Sequence, residues 1–330
     1  LRFGDLMRVL VSGGAGFIGS NFVWYLLGLG HEVLVYDAFT YAGRLENLPS
    51  TVRIVRGDIV DRDRLISVVR DFQPDVVVNF AAETHVDRSI RDPEPFIRTN
   101  VYGIFTLLEV TRRFDLRLIH VSTDEVYGDL EGKEPASEDA PLRPSNPYSA
   151  TKASGDMLIM AYWRTYGIKV SIVRPSNNYG PRQHPEKLIP KTIIRAVNNL
   201  PVIVHGDGSQ RRDWLYVEDT CRAIWLVAER GRPGEIYNIP GFNERSVLEV
   251  VEKVLELLNK PKSLIRFVGD RPGQDRRYLM RGDKILSLGW RPMVNWEDGL
   301  RMTIKWYLEN EWWWRPLISD EYFVKDTPWQ

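Results

Sequence analysis

Six short apolar runs, spaced so that helical patterns fit between them, constrain the fold of this chain most. They are Met7–Ser12, His31–Tyr36, Val52–Val55, Val76–Phe80, Leu118–Ser122 and Val170–Arg174. Each is short, β-branched-rich and apolar in the main, as strands covered on both faces read. Helical patterns lie between them at Asn21–Leu29, Asp63–Asp71, Pro95–Arg113 and Ser149–Tyr166. Strand and helix in alternation predict an α/β fold, a Rossmann-type doubly wound parallel sheet. After Arg174 the pattern changes. Pro, Gly and polar residues dominate Pro175–Pro190, and helices are expected at Val217–Glu229, Ser246–Leu258 and Trp296–Asn310. Two domains are expected: residues 7–174, and a smaller mixed α/β domain over 175–330. The helix near 217–229 is expected to pack back on the first.

Composition narrows the class. The chain has 330 residues, 43% hydrophobic and 27% charged, the balance of a soluble globular protein. Lys plus Arg equals Asp plus Glu at 44 each, so no global basic field exists for nucleic acid. Local clusters at Gln210–Asp213 and Asp275–Arg277 still suit a small anion. The single Cys221 excludes an intrachain disulfide and fits a reducing cytoplasm. Its plainer reading is an inert core thiol. No apolar stretch approaches the roughly 18–20 residues of a membrane span. Leu1–Leu6 lacks a signal-peptide core and reads as a short tail before Met7. No metal site and no membrane partner are expected. The aromatic end, from Trp306 to Trp329, reads as a tail packed on the surface rather than a base-stacking platform.

The turn after the first run carries chemistry. Gly13-Gly14-Ala15-Gly16-Phe17-Ile18-Gly19 fits Gly-x-x-Gly-x-x-Gly, and Gly-x-Gly-x-x-Gly from Gly14. Glycines there allow a tight turn and let backbone approach a pyrophosphate, which the next helix N-terminus attracts. Any strand–helix turn uses Gly, so context must support the match. Asp37 ends the second run about 20 residues on, where an acid meets an adenosine ribose 2′-hydroxyl. A 2′-phosphate would be repelled there, so NAD is expected over NADP. Arg44 argues the other way from farther into the loop. Asp58-Ile59 is placed for the adenine edge, or Asp58 simply caps the next helix.

Two further segments point to one reaction site. Tyr148 and Lys152 are four apart on a predicted helix, hence on one face. Such a pair suits taking a hydroxyl proton as hydride leaves the same carbon. Thr123-Asp124-Glu125 adds two adjacent carboxyls and a hydroxyl after an apolar run. An extra acid and base suit elimination of water, although an isolated Asp-Glu pair is by default a polar turn.

On these motifs the chain resembles the extended short-chain dehydrogenase/reductases, and within them the dTDP-glucose 4,6-dehydratase group. The segments that carry the resemblance include Ala81–Ser89, Ser122–Gly128, Tyr148–Ala153, Asn177–Pro181, Pro185–Pro190, Arg212–Asp219 and Asp270–Gly273. Sugar-nucleotide epimerases generally lack the Thr-Asp-Glu triplet. A UDP-sugar 4,6-dehydratase or a 4-epimerase is the nearest alternative, and a non-catalytic NAD-sensing protein a remote one.

The resemblance implies roles. Tyr148 would take the C4 hydroxyl proton, while Lys152 binds the nicotinamide ribose and lowers the tyrosine pKa. Glu125 would remove the C5 proton and Asp124 protonate the departing C6 hydroxyl. Thr123 would hydrogen-bond the C4 oxygen. NAD would be tightly bound and recycled each turnover. Gly13, Gly16, Phe17, Ile18, Gly19, Asp37, Ala38, Phe39, Thr40, Asp58, Ile59, Phe80, Ala81, Ala82, Thr84, Thr99 and Asn178 would meet it, with Tyr148 and Lys152. Thr84, Thr123, Asn177, Lys187, Leu188, Ile203, His205, Arg212, Asn243, Asp270, Arg271, Pro272, Gly273 and Gln274 would line the sugar-nucleotide site. Arg212 is the candidate diphosphate clamp, unless it pairs with Asp213. Gln274 departs from the bacterial pattern, which usually has His there. The helices Pro95–Arg113 and Ser149–Tyr166 imply a homodimer through a four-helix bundle.

Overall fold

The computed structural model describes residues 6–330; the first five residues of the expected N-terminal tail lie outside them. The first half alternates as follows: β1 Arg8–Ser12, α1 Phe17–Gly28, β2 Glu32–Asp37, β3 Arg53–Arg56, α2 Arg62–Phe72 and β4 Val76–Asn79. Then come α3 Val86–Arg91, α4 Glu94–Ile97, α5 Ile104–Phe114, β5 Arg117–Val121, α6 Pro147–Tyr166 and β6 Lys169–Pro175. The predicted helix over 95–113 is not continuous. A π-helical segment, Arg98–Gly103, joins α4 to α5. Its Asn100 donates to the Glu83 carbonyl and to Thr151 Oγ1, tying this segment to the exit of β4 and to α6.

The main sheet is parallel with strand order β10-β6-β5-β4-β1-β2-β3, where β10 is Ile236–Ile239 from the second half. Its order reverses beside β1, where a crevice opens at the carboxyl ends of the strands. Successive side chains point to opposite faces. Val9, Val11, Val33 and Val35 enter one apolar cluster, while Leu10, Leu34 and Tyr36 enter another. That two-sided burial is why the runs are apolar without alternation.

The second half contains β7 Asn177–Tyr179, α7 Leu188–Val197, β8 Val202–His205, β9 Arg211–Tyr216, α8 Val217–Arg230 and β10 Ile236–Ile239. It continues with β11 Glu244–Ser246, α9 Val247–Leu257, β12 Ile265–Val268, α10 Asp283–Ser287, α11 Trp296–Glu309, α12 Glu311–Trp314 and α13 Glu321–Val324. The main sheet therefore takes a seventh strand, β10, from beyond residue 174. Helix α8 shares the apolar cluster of α1 through Ile224, Trp225 and Cys221. Burial pushes the Cys221 thiol upward and leaves it a core residue. The remaining strands form two small sheets, β11-β9-β7 and β12-β8. Trp306, Trp313, Trp314 and Phe323 pack with Tyr179, Ile193 and Val254 in a third cluster. Among the described residues no helix is long and apolar enough to cross a membrane.

Candidate active site

Helix α1 starts directly from the glycine loop. Gly13 has φ +71°, and a Cβ there would lie 2.3 Å from the Ala81 nitrogen. The loop thus packs against the chain leaving β4. At Gly16 a Cβ would meet only the Gly13 oxygen, at 3.5 Å, so space above it is open. Among the described residues no side chain caps α1 and no acid sits in its first turn. Its free N–H groups and dipole face the cleft, as an anion site requires.

Asp37 closes β2. Its Oδ2 accepts from Ala15 N–H at 2.8 Å and its Oδ1 from Phe39 N–H at 2.7 Å. A carboxylate has about four acceptor sites, so capacity remains for ribose hydroxyls. Burial raises its pKa, and these two bonds oppose the rise. Arg44 is engaged elsewhere: Nη1 donates to the Trp313 carbonyl at 2.7 Å. It is not held at the ribose position. Asp58 does not cap α2; Asp61 does, accepting from Arg64 N–H. Asp58 instead accepts from Arg98 at 2.7 Å.

A cleft of about 630 Å³ runs from this loop to the reaction residues. Every expected cofactor residue except Phe39 lines it. Phe39 takes φ +53° and packs its ring toward the apolar cluster under β2. Thr123, Asp124, Glu125, Tyr148, Lys152, Thr84, Asn177 and Lys187 line the same cleft.

The triplet follows β5 and opens a 3₁₀ turn, Asp124–Tyr127. Thr123 Oγ1 accepts from Glu125 N–H at 3.3 Å. Helix α6 starts at a capping box of Asn146 and Ser149 with Pro147 at its first position, which places Tyr148 in the opening turn. The Thr123 hydroxyl is near enough to Tyr148 to hold its pKa down. Burial raises the Tyr148 pKa, and Glu125 adds to the rise. The Lys152 ammonium donates to the Val121 carbonyl at 2.8 Å. Burial brings the Lys152 pKa down to about 8.

The two carboxyls differ in surroundings. Burial raises Asp124 well above the usual carboxylate range, Glu125 reinforces this, and Arg212 opposes it. Burial also raises Glu125, but Arg271, Arg212 and Lys187 all hold it back. Asp124 is thus raised further than Glu125, so the two adjacent carboxyls differ in acidity, as an acid and a base side by side must.

Several buried atoms on the cleft have no hydrogen-bond partner among the described residues: Ser122 Oγ, Asp124 Oδ2, Ser176 Oγ, Asn177 Oδ1, Asn178 Oδ1 and Gln183 Oε1. Buried polar groups are normally paired. These residues fit a polar ligand such as a dinucleotide with a sugar beside it. Among the described residues no group of three or more His, Cys, Asp or Glu is placed to hold a metal ion.

Other expected substrate residues lie outside the cleft lining. Leu188 begins α7 and packs into apolar clusters. Ile203 is buried on β8, and His205 Nε2 lies 3.0 Å from the Asp326 carbonyl. Asn243 is held in the turn before β11, where its N–H donates to Asp213 Oδ1. Asp270 pairs with Arg276 at 3.5 Å. Pro272 and Gly273 form a turn in which Gly273 has φ +65°. Arg271 pairs with Asp87 at 2.9 Å and also donates to Gln274 Oε1.

The Arg212–Asp213 pairing does not form. Adjacent residues on β9 project to opposite faces. Arg212 lies over the Tyr278 ring and donates to the Arg211 and Asp275 carbonyls. Asp213 accepts from the N–H groups of Gly241, Phe242 and Asn243.

Sequence reasoning missed Tyr278 and Glu186. Tyr278 Oη lies 3.4 Å from Glu125 Oε2 and 2.6 Å from Asp275 Oδ2. Glu186 lines the cleft with its side chain 1% exposed. An acid directly before Lys187 in a Pro-bounded loop was the available signal for it.

The glycine loop under a helix N-terminus, the acid at the end of β2 and the Tyr148–Lys152 pair define a dinucleotide-dependent enzyme of the short-chain dehydrogenase/reductase class. A family model described as GDP-mannose 4,6 dehydratase matches residues 10–303, and the chain belongs to that family. A dTDP-glucose 4,6-dehydratase of Xanthomonas campestris pv. campestris is 46% identical over 95% of this chain and 96% of its own. The crystal structure of DesIV, a dTDP-glucose 4,6-dehydratase from Streptomyces venezuelae with NAD and TYD bound, aligns with TM-score 0.91 and 46% identity. That match covers 94% of this chain and 100% of the other. A Thermus thermophilus UDP-glucose 4-epimerase in complex with NAD aligns with TM-score 0.87 at 34% identity, over 92% and 100%.

Proposed function

We propose that this protein is an NAD-dependent hydro-lyase. It converts dTDP-glucose to dTDP-4-keto-6-deoxyglucose in deoxysugar nucleotide biosynthesis. The observation that carries the reading is the placement of Thr123, Asp124 and Glu125 in one cleft with Tyr148 and Lys152. An epimerase needs only the second pair.

NAD, when bound, supplies the hydride acceptor at C4 and the donor at C6. Tyr148 accepts the C4 hydroxyl proton, and Thr123, whose hydroxyl otherwise donates to Asp124, holds the same oxygen. Lys152, fixed by the Val121 carbonyl, orients the nicotinamide ribose. The 4-keto group acidifies C5–H. Glu125 removes that proton, and the cations around it oppose the rise in its pKa that burial causes. Asp124, protonated in its buried position, donates to the departing C6 hydroxyl. A proton then returns to C5. Arg212 and Arg271, which act electrostatically on Glu125, are the candidates for the diphosphate side.

We read residues 7–174, joined by α8 and β10, as the NAD-binding half, and most of 175–330 as the sugar-nucleotide half. The enzyme is proposed to work in the cytoplasm as a homodimer. Ile97, Tyr102, Met157 and Tyr166 on the two candidate dimer helices are all about half exposed, which supports a buried helix pair.

One assay decides between the readings. The protein is incubated separately with dTDP-glucose and UDP-glucose, and product masses are taken. Loss of one water from the dTDP sugar is expected. An unchanged mass with a new sugar isomer would establish a 4-epimerase instead.

A further inference from the structure

Arg88 stands where four chain segments meet. Its guanidinium carbon lies 3.8 Å from the Tyr41 ring centroid and 4.0 Å from that of Tyr322. Nε donates to Glu186 Oε2 at 3.1 Å, and Nη2 to Asp320 Oδ2 at 3.0 Å. Tyr41 Oη completes the circuit by donating to Glu186 Oε1 at 3.0 Å.

The three segments that meet Arg88 on α3 have different duties. Tyr41 belongs to the loop that leaves β2 at Asp37, and its neighbours Thr40 and Ala42 line the cleft. Glu186 precedes Lys187 in another wall. Asp320 and Tyr322 come from the C-terminal segment, where Tyr322 is buried and its carbonyl accepts from Lys191 at 2.7 Å. The loop has a second tie to the same region. Arg44 donates to the carbonyl of Trp313, 269 positions later, and lies 5.1 Å over its ring. Asn47 Oδ1 accepts from Trp313 Nε1 at 2.8 Å.

We propose that Arg88, stacked between Tyr41 and Tyr322, is a positioning residue that locks the 38–44 loop to the C-terminal segment and so slows exchange of the dinucleotide. This rests on the cofactor reading above. The loop carries the residues next to the ribose-binding acid, so release of the adenosine end requires it to move. It moves only when Tyr41 leaves the guanidinium. A planar, permanently charged group with a ring on each face and two carboxylates at its edge has one favourable arrangement. Removing the Tyr322 face loosens the stack from the side away from the cofactor, without touching the cleft.

The test loads the full chain with NAD and follows its replacement by a fluorescent NAD analogue. Wild type, Tyr322→Phe, Tyr322→Leu and Arg88→Lys are compared. The Leu and Lys variants are expected to exchange roughly five- to thirty-fold faster, the factor a desolvated cation–π contact commands. Phe keeps the ring and is expected to exchange at the wild-type rate. Should Tyr322→Leu fail to fold, Arg88→Lys carries the comparison. Equal rates for wild type and the loosened variants overturn the lock while leaving the cofactor reading intact. So does a Phe variant as fast as Leu, since the ring face would then be irrelevant. A wild-type protein that takes up no NAD overturns both.

Discussion

Thr123 Oγ1 lies 3.3 Å from Asp124 Oδ1, while the other oxygen of Asp124 is buried with no partner among the described residues. One side of this acid is held and the other faces the cleft. That is the posture of a group waiting to deliver a proton.

Replacing Asp124 and Glu125 together by Asn and Gln separates oxidation from elimination. Tyr148 and Lys152 remain, so reduced nicotinamide and a 4-keto sugar retaining its C6 hydroxyl are expected to accumulate in a single turnover. General acid–base groups contribute about 10²–10⁴-fold each, though coupled groups are not additive. Dehydration at the wild-type rate would remove both carboxyls from the mechanism. Absence of any reduced nicotinamide would show that they also serve the first step.

Asp124→Asn alone is expected to stabilise the ligand-free protein at pH 7. The folded-state pKa of Asp124 is raised, so the native state binds its proton more tightly than the unfolded chain. Below the unfolded value, about 4, both states are protonated and the group contributes nothing unfavourable. As pH rises above that value the unfolded state ionises first and stability falls. Asn mimics the neutral acid and does not titrate. Melting temperatures across pH 4 to 7 should therefore diverge, with the variant higher at neutral pH. Parallel curves would contradict the buried, protonated Asp124.

Asp37 is expected to matter to the fold as well as to the cofactor. Asp37→Ala leaves the buried N–H of Ala15 and the part-buried N–H of Phe39 without their acceptor. An unsatisfied buried donor costs about 1–3 kcal/mol. Urea unfolding of the ligand-free variant should show a loss of about 2 kcal/mol or more, together with weaker NAD binding by titration. Unchanged unfolding would mean that the loop finds other acceptors.

Assembly is checked at the two helices. Tyr102→Arg with Met157→Arg places charge on the outward side of the 98–103 segment and α6, where both residues are more than half exposed. Sedimentation is expected to give a dimer for wild type at micromolar concentration and a monomer for the double variant. A wild-type monomer would sink the four-helix interface, and a dimer of the double variant would move it elsewhere.

What the sequence determined by itself was what local periodicity and short spacing control. Largely apolar runs specified parallel strands, buried on both faces except at the β3 edge, because a strand covered on both faces has no polar side. The glycine turn and Asp37 could be read because a strand, a tight turn and a helix N-terminus are contiguous. Tyr148 and Lys152 could be paired because four residues make about one helical turn. Tertiary structure alone decided the rest. Ile236–Ile239 is a short run with no helix-strand rhythm around it, and only pairing with β6 makes it part of the main sheet. Tyr278 meets Glu125 across 153 positions and Arg88 meets Asp320 across 232, distances over which spacing carries no information. Arg212 and Asp213 looked like a pair because they are adjacent. The period of a strand sends them to opposite faces, so Arg212 lies over the Tyr278 ring while its neighbour braces a turn.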